Sequence, residues 1–251
     1  LAAIELLHSA SCIIDDILDG DTVRRGIASF HVREGQPRAQ LVSLEAVLLP
    51  FYLQNQTMTR EIYQAARLML QGEAFDPFNF HDVTAHLDNE DDLLESYSLK
   101  TYPSFATAHK IIGIAYEADA ENISALGEYG TYLGKYYQYA NDFHDTFSIP
   151  AEVRGNPEDK VRVNLSMPLI IAITKDNNYQ KMVGQVIYRK DLAQLFEQMR
   201  TEYIHEEAKQ LLEETGKKVV SACPGKFNPE LELLVNTVGN SKFWGYSYDI
   251  S

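Results

Sequence analysis

The sequence is poor in several features that would narrow its class. It has only two cysteines, Cys12 and Cys223. Isolated in this way, they give no disulfide framework and no zinc signature. A reducing compartment, the cytoplasm, is the simplest expectation. No run of about 18 apolar residues occurs, so no membrane-spanning helix is expected. Positive charge is scarce: 22 Lys and Arg stand against 36 Asp and Glu, for a formal charge of −14. Nucleic-acid binders normally carry a basic stripe, so nucleic acid is excluded as an expected partner. An anionic small molecule is not excluded, because local clusters and metal ions can invert the local field. Alternating strand patterns are nearly absent, as are internal repeats, low-complexity tracts and linkers.

What is present is helical periodicity. The chain has 251 residues, 45% of them hydrophobic, enough for one sizeable core in a single all-α domain over residues 1–251. Ile4, Leu7, Ile14 and Leu18 share a stripe near the start, flanked by Ile13 and Ile17. The opening Leu1 to Leu7 already reads as mid-helix, so further helices are expected upstream. A loop is expected from Gly20 to about Pro37, then helices over Ala39–Gln54 and Thr59–Phe75, the latter capped by Thr59. An acidic turn at Asp88–Asp92 precedes a helix expected to run through Leu99 and Ala106. A long helix is expected over Asn122–Phe147. Pro150, Gly155 and Pro157 then mark a polar loop, and helix returns at Pro168–Ile173 and Tyr179–Thr215.

The chemistry concentrates in LHSASCIIDDILDGDTVRRG. Asp15 and Asp19, four apart, share a helix face, where two carboxylates repel. A divalent cation offsets that repulsion, and magnesium suits the pattern, because it takes one or two carboxylates and fills its shell from substrate phosphates. His8 lies two turns back on the same stripe, about 10 Å along the axis, with Ser11 and Cys12 between. A core-facing stripe does not normally carry such residues. Read alone, the acidic motif also fits an exposed helix end. Arg24 and Arg25, just ahead of Gly26, favour the ligand reading, because arginine is well matched to phosphate oxygens.

The ordered set His8, Ser11, Asp15, Asp16, Asp19, Asp21, Arg24, Arg25, Gly26, His31 and Gly35 resembles the trans-isoprenyl diphosphate synthases, the polyprenyl synthetase family of farnesyl and geranylgeranyl diphosphate synthases. The resemblance runs in order from Leu6 to about Pro168. It implies an all-α class I isoprenoid synthase helical bundle around a central cavity. It also implies a prenyltransferase that ionises an allylic diphosphate and joins it to isopentenyl diphosphate. The cofactor implied is Mg2+, with Mn2+ as the alternative, and the assembly implied is a homodimer, with a heteromer as the alternative. Carried over position by position, Asp15, Asp16 and Asp19 match metal ligands. Arg24 matches a contact to the allylic diphosphate, and His8 and Arg25 match contacts to isopentenyl diphosphate. Lys100 matches a further diphosphate contact, and Thr101 a residue near the cation. Gln138, Asn141, Asp142 and Asp145 form the second motif: Gln138 matches a catalytic and substrate-binding position, and the other three match metal ligands.

Several positions depart from the family pattern. Asn141 stands where Asp is usual, and Asn is a neutral, weaker partner for magnesium. RGNPEDK and NLSMPL carry Asn156 and Asn164 at two positions where the family has lysines, with Arg154, Lys160 or Arg162 as conceivable substitutes. Fewer cations weaken a diphosphate clamp, because charge-assisted contacts are the strong ones. QGEAFD replaces the usual Gly-Gln-x-x-Asp, although Glu73 and Asp76 keep the polar character. The residues that set product length in this family are Ser11 and Ala10, both small, with Leu7 a turn below. They imply a product of about twenty carbons or longer. Tyr136, Tyr137 and Phe143 are candidates for lining the cavity and facing a cation.

Three readings follow. The first is the synthase. A terpene cyclase, or a prenyltransferase with another acceptor, shares the ionisation chemistry; Asn141 and the absent lysines favour it, and His8 and Arg25 count against it. A non-catalytic subunit is the third, and the intact first motif counts against it.

Overall fold

The structure is a computed structural model that describes residues 2–24, 27–52, 55–75, 90–148, 157–158, 160–201, 203–223, 233 and 235–238. The expectation of an all-α protein holds. Ten α-helices and two short antiparallel hairpins account for most of the described residues, which fall into two compact units. Among these residues no helix is long and apolar enough to cross a membrane.

The first unit takes residues 1–73 and 99–131. Helix α1 (Ala2–Asp19) ends at Gly20, whose φ of 73° supplies the left-handed residue that stops a helix. The chain reverses through strands β1 (Val23–Arg24) and β2 (Ile27–Ala28). The short helix α2 (Phe30–Glu34) and helix α3 (Gln36–Leu48) follow, with Pro37 in the first turn of α3. Expected as plain loop, this stretch contains a hairpin that pairs Val23 with Ala28 and Arg24 with Ile27, and the β-branched Val23 and Ile27 favour extended backbone. Helix α4 (Gln56–Phe75) begins three residues ahead of the sequence-based expectation. The reason is Asn55, whose side-chain oxygen accepts the Met58 N–H at 3.0 Å, so Asn55 and not Thr59 is the cap. Leu7 of α1 packs on Ala65, Ala66 and Met69 of α4, with Val47 of α3 alongside.

Helix α6 (Tyr102–Ala115) and the first half of helix α7 (Ala120–Phe147) complete this unit. The expected continuous helix through Leu99 is broken over residues 99–101, because Pro103 has no N–H to give the Leu99 carbonyl four residues back and its ring would collide with that carbonyl. Gly72 of α4 fits this break. A Cβ there would lie 2.5 Å from the Lys100 nitrogen and 2.7 Å from the Leu99 carbonyl carbon. The absence of a side chain at residue 72 is therefore what lets the Lys100 backbone lie against α4.

The second unit takes residues 74–98 and 132–251. Helix α8 (Met167–Lys175) has every residue from Met167 to Ile173 buried, the mark of a helix apolar on all sides at the centre of a core. Helix α5 (Glu90–Ser98) and helix α10 (Ile204–Ser221) pack on α8, and helix α9 (Arg189–Thr201) packs on α10. Strands β3 (Lys160–Arg162) and β4 (Val186–Tyr188) form the second hairpin. The expected helix over Tyr179–Thr215 is thus interrupted twice, at Gly184 (φ 78°) and at Tyr203 (φ 63°). Left-handed backbone cannot continue a right-handed helix.

Gly72→Ala should cost about 2–3 kcal/mol, because the clash is with backbone that cannot move aside cheaply. Urea unfolding of the two proteins measures the difference. Equal midpoints would mean that the contact of α4 with Lys100 is loose.

Candidate active site

In the first unit, the first acidic motif is built by α1 and the β1–β2 hairpin. The Asp21 N–H donates to the Asp16 carbonyl at 2.9 Å, and the Ser29 N–H to the Thr22 carbonyl at 2.9 Å, folding the hairpin back on the helix. This brings Arg24 over the motif. Its Nε donates to Asp16 Oδ1 at 2.6 Å and its Nη2 to Asp15 Oδ2 at 3.0 Å. Lys100 reaches the other oxygen of Asp15 at 3.1 Å and stands 3.4 Å from Glu73. Burial works against the Arg24 charge. The Asp16 hydrogen bond and the fields of Cys12, Asp16 and Asp15 outweigh it, so its pKa lies above the ordinary arginine value.

The carboxylates of the motif divide by exposure. Asp15 keeps 27% of its side-chain surface and Asp19 is half-buried, whereas the Asp16 side chain keeps 4%. Asp16, expected among the metal ligands, is the buried partner of Arg24. His8 is exposed, with its Nε2 3.7 Å from Cys12 Sγ. Ser11 donates to the His8 carbonyl at 2.8 Å. Ala10 and Leu7, expected to govern product length, are buried. Thr101 is half-buried at the start of α6. Arg25, Gly26, Asp76, Arg154 and Asn156 lie outside the described residues.

The second motif lies on α7 in the second unit. Asn141 donates through Nδ2 to Asp145 Oδ2 at 2.9 Å. The neutral residue thus replaces a carboxylate repulsion with a hydrogen bond, while its own carbonyl oxygen can only accept. Asp142 is 5% exposed. Its Oδ2 accepts from Tyr97 Oη at 2.7 Å and from the Met167 N–H at 2.8 Å, and its Oδ1 accepts from Gln138 Nε2 at 3.0 Å. Burial pushes the Asp142 carboxyl up to about 7, against the pull of these donors. Asp142, expected among the metal ligands, joins α7 to α5 and to the first turn of α8.

Two expectations change with this geometry. Tyr136 and Phe143 lie about 200° around α7 from Gln138 and Asn141, on the opposite face. They line a separate pocket of about 390 Å3 with His205, Lys209, Leu212, Glu213 and Asn236, and Tyr136 Oη donates to the Val235 carbonyl at 2.9 Å. Both rings therefore point away from the motif they were expected to serve. Asn164, expected at a position where the family has lysine, has a buried Oδ1 that finds no hydrogen-bond partner among the described residues. Sequence reasoning missed Tyr97, and it read Gly72 and Glu73 only as part of the altered QGEAFD segment, without their contacts to Lys100. A Gly-Glu pair one turn from the end of an amphipathic helix was the available signal for the latter two. Tyr97 carried none.

A family model for polyprenyl synthetase matches residues 1–214. This chain belongs to the polyprenyl synthetase family. A short chain isoprenyl diphosphate synthase of Methanothermobacter thermautotrophicus is 30% identical over 234 residues, covering 81% of this chain and 67% of that protein. A prenyl transferase of Synechocystis is 26% identical over 192 residues, covering 74% and 57%. This family member thus spans a little over half to two thirds of the length of these relatives. Among solved structures, a polyprenyl synthase from Caulobacter crescentus, complexed with calcium and isoprenyl diphosphate, superposes with a TM-score of 0.74 at 21% identity, over 96% of this chain and 77% of that one. A geranylgeranyl pyrophosphate synthase from Corynebacterium glutamicum, complexed with isoprenyl diphosphate and magnesium, superposes with a TM-score of 0.73 at 18% identity, over 95% and 77%. At such identities the likeness is one of fold, and the polyprenyl synthetase chain shares it.

The raised Asp142 pKa has a consequence for stability. Between the ordinary 3.8 and about 7 the folded protein holds a proton that the unfolded chain releases. The stabilisation is complete below the unfolded value and is lost as pH rises through the folded one. Urea midpoints measured across that window should fall with rising pH, and Asp142→Asn should flatten the slope. A slope unchanged in the variant would assign it to another group.

Proposed function

We propose that this chain is a trans-prenyltransferase that condenses an allylic diphosphate with isopentenyl diphosphate, extending the prenyl chain to about twenty carbons or more. The observation that carries this reading is the pairing of half-exposed Asp15 with two cations, Arg24 and Lys100, one on each carboxylate oxygen. Such an arrangement can hand its cations to an incoming diphosphate while the carboxylate turns to a divalent ion.

The donor set fits magnesium. Its exposed ligands are hard oxygens. Such ligands suit an ion that takes much of its shell from phosphates and water. Asp15 and Asp19 in the first unit would hold it, and Asn141 and Asp145 in the second offer a separate pair of oxygen ligands. When bound, magnesium supplies positive charge to a leaving diphosphate. Arg24 and Lys100 bind the allylic diphosphate and stabilise the charge it gains as it departs. His8 and Arg25 are assigned to isopentenyl diphosphate by position in the motif.

The proposed assembly is a homodimer, with a heteromer as the alternative. Leu41, Leu44 and Leu48 of α3 are 68%, 57% and 52% exposed at helical spacing, an apolar stripe of the kind that a second copy covers. Light scattering that gives the mass of a single chain would exclude both assemblies. The reaction is assigned to a reducing compartment, in keeping with Cys12 and Cys223 as free thiols.

Incubation of the protein with magnesium and geranyl or farnesyl diphosphate, with and without isopentenyl diphosphate, tests the reading. Elongation only in the presence of both substrates is expected. Hydrocarbon or alcohol from the allylic substrate alone would mean a cyclase, the reading favoured by Asn141. Turnover only after a partner is added would mean a subunit. Asp15→Ala should lower elongation at least about a hundredfold with the fold intact; undiminished turnover would remove Asp15 from the site. Chromatography should show products of about twenty carbons or longer, shortened in Ser11→Phe. Ten-carbon product alone from the wild type would refute the assigned length.

A further inference from the structure

We infer that Glu73 competes with the allylic diphosphate for Lys100, and so sets how tightly the site binds that diphosphate. The substrate comes from the proposed function, on which this inference rests; the competition comes from the geometry of the first unit. Lys100 Nζ lies 3.1 Å from Asp15 Oδ1 and 3.4 Å from Glu73 Oε2. The two carboxylates stand on different helices, α1 and α4. The Lys100 and Glu73 side chains keep 16% and 15% of their surface, so salt and water screen this pair less than an exposed one. The contact is also built in at the backbone. Gly72, next to Glu73 on α4, lets the Lys100 backbone lie against that helix. The base of the lysine stem is thus fixed beside the residue that receives its ammonium.

The charges linked through these contacts are unevenly matched. Arg24 pairs with Asp15 and Asp16, and Lys100 with Asp15 and Glu73, so three carboxylates are joined by two cations. Asp16 is the buried partner of Arg24, and Asp15 is the carboxylate proposed to turn to a divalent ion. Glu73 has neither role, and its charge is the surplus one of the linked set. A diphosphate oxygen that reaches Lys100 meets this charge in one of two ways. If the ammonium leaves Glu73, a charge-assisted contact between two poorly solvated groups is lost. If it keeps Glu73 and gives another of its three hydrogens to the diphosphate, two anions are held beside one lysine and repel. Both routes weaken the hold on diphosphate, whether it arrives on the substrate or departs as the free ion. Glu73 therefore favours release, and it acts through Lys100.

Glu73→Gln, Lys100→Met and the double variant test the inference, by calorimetry of inorganic pyrophosphate binding in the presence of magnesium and by elongation kinetics. Glutamine keeps the length of the side chain and an acceptor oxygen, and removes the charge. The expected result is a gain. Glu73→Gln should bind magnesium pyrophosphate about fivefold more tightly than the wild type, and its KM for the allylic diphosphate should fall by a similar factor with KM for isopentenyl diphosphate unchanged. A structural role alone predicts a loss, because a weakened support does not tighten a site. Affinity that is unchanged or reduced in Glu73→Gln overturns the inference. So does an equal gain in the Lys100→Met background, which would mean that Glu73 acts on the diphosphate by its own field and not through Lys100. An equal fall in both KM values overturns the assignment to the allylic diphosphate. If Glu73→Gln does not fold, Glu73→Ala removes the same charge and must change the affinity in the same direction. A wild-type protein that binds magnesium pyrophosphate but does not elongate counts against the proposed function, and the calorimetry still decides the competition. Absence of binding by wild type and variant alike overturns both.

Discussion

Carboxylates set close together on one helix face repel, and both acidic motifs are shaped by how that repulsion is relieved. In the first unit the relief is ionic. Arg24 bridges Asp15 and Asp16, and Lys100 takes the second oxygen of Asp15. In the second unit it is made of neutral donors. Asn141 gives a hydrogen to Asp145, and Asp142 collects three from Tyr97, Gln138 and the Met167 backbone. The two solutions differ in how they respond to a ligand. Ion pairs with partly exposed partners are exchangeable, because solvent and counter-ions compete for them. A carboxyl group sealed among donors is not, since each lost hydrogen bond leaves a buried polar atom unsatisfied.

The same contrast runs through the supporting structure. Arg24 arrives on a two-residue strand, and Lys100 sits at a helix break. Neither is held by a long regular element. Their positions depend on local backbone features: the left-handed Gly20 that turns the chain after α1, and Gly72, which admits the Lys100 backbone against α4. Asp142, by contrast, lies inside a 28-residue helix and is tied to α8, the most buried helix of its unit.

Much of this was legible in the sequence, and the gaps have physical reasons. Helical periodicity located α1, α4 and α7 because each is amphipathic over several turns. The hairpins escaped notice because strands of two or three residues show no period. The boundary at α4 was missed because Asn55 caps as well as Thr59 does and only geometry chooses between them. In the site, Asp15, Asp19, Arg24 and Lys100 carried their own signal, as charged residues in an ordered motif. The distinction between Asp15 and Asp16, or between Asp145 and Asp142, was not available, because adjacent acidic letters look alike until burial separates them. Tyr136 and Phe143 were credited with the wrong face, although their offset from Gln138 and Asn141 along the helix already placed them opposite.

The pairing of Asp15 with Arg24 and Lys100 sets an order of events. A divalent ion that approached alone would have to push aside a guanidinium or an ammonium and then remain beside it, three positive groups around one carboxylate. An anion arriving at the same time removes that difficulty, because the displaced side chains turn to it and the charges balance again. Metal and diphosphate should therefore enter as a pair, each raising the affinity for the other by the same factor. The free protein would then be largely indifferent to the metal content of its surroundings until its substrate is present.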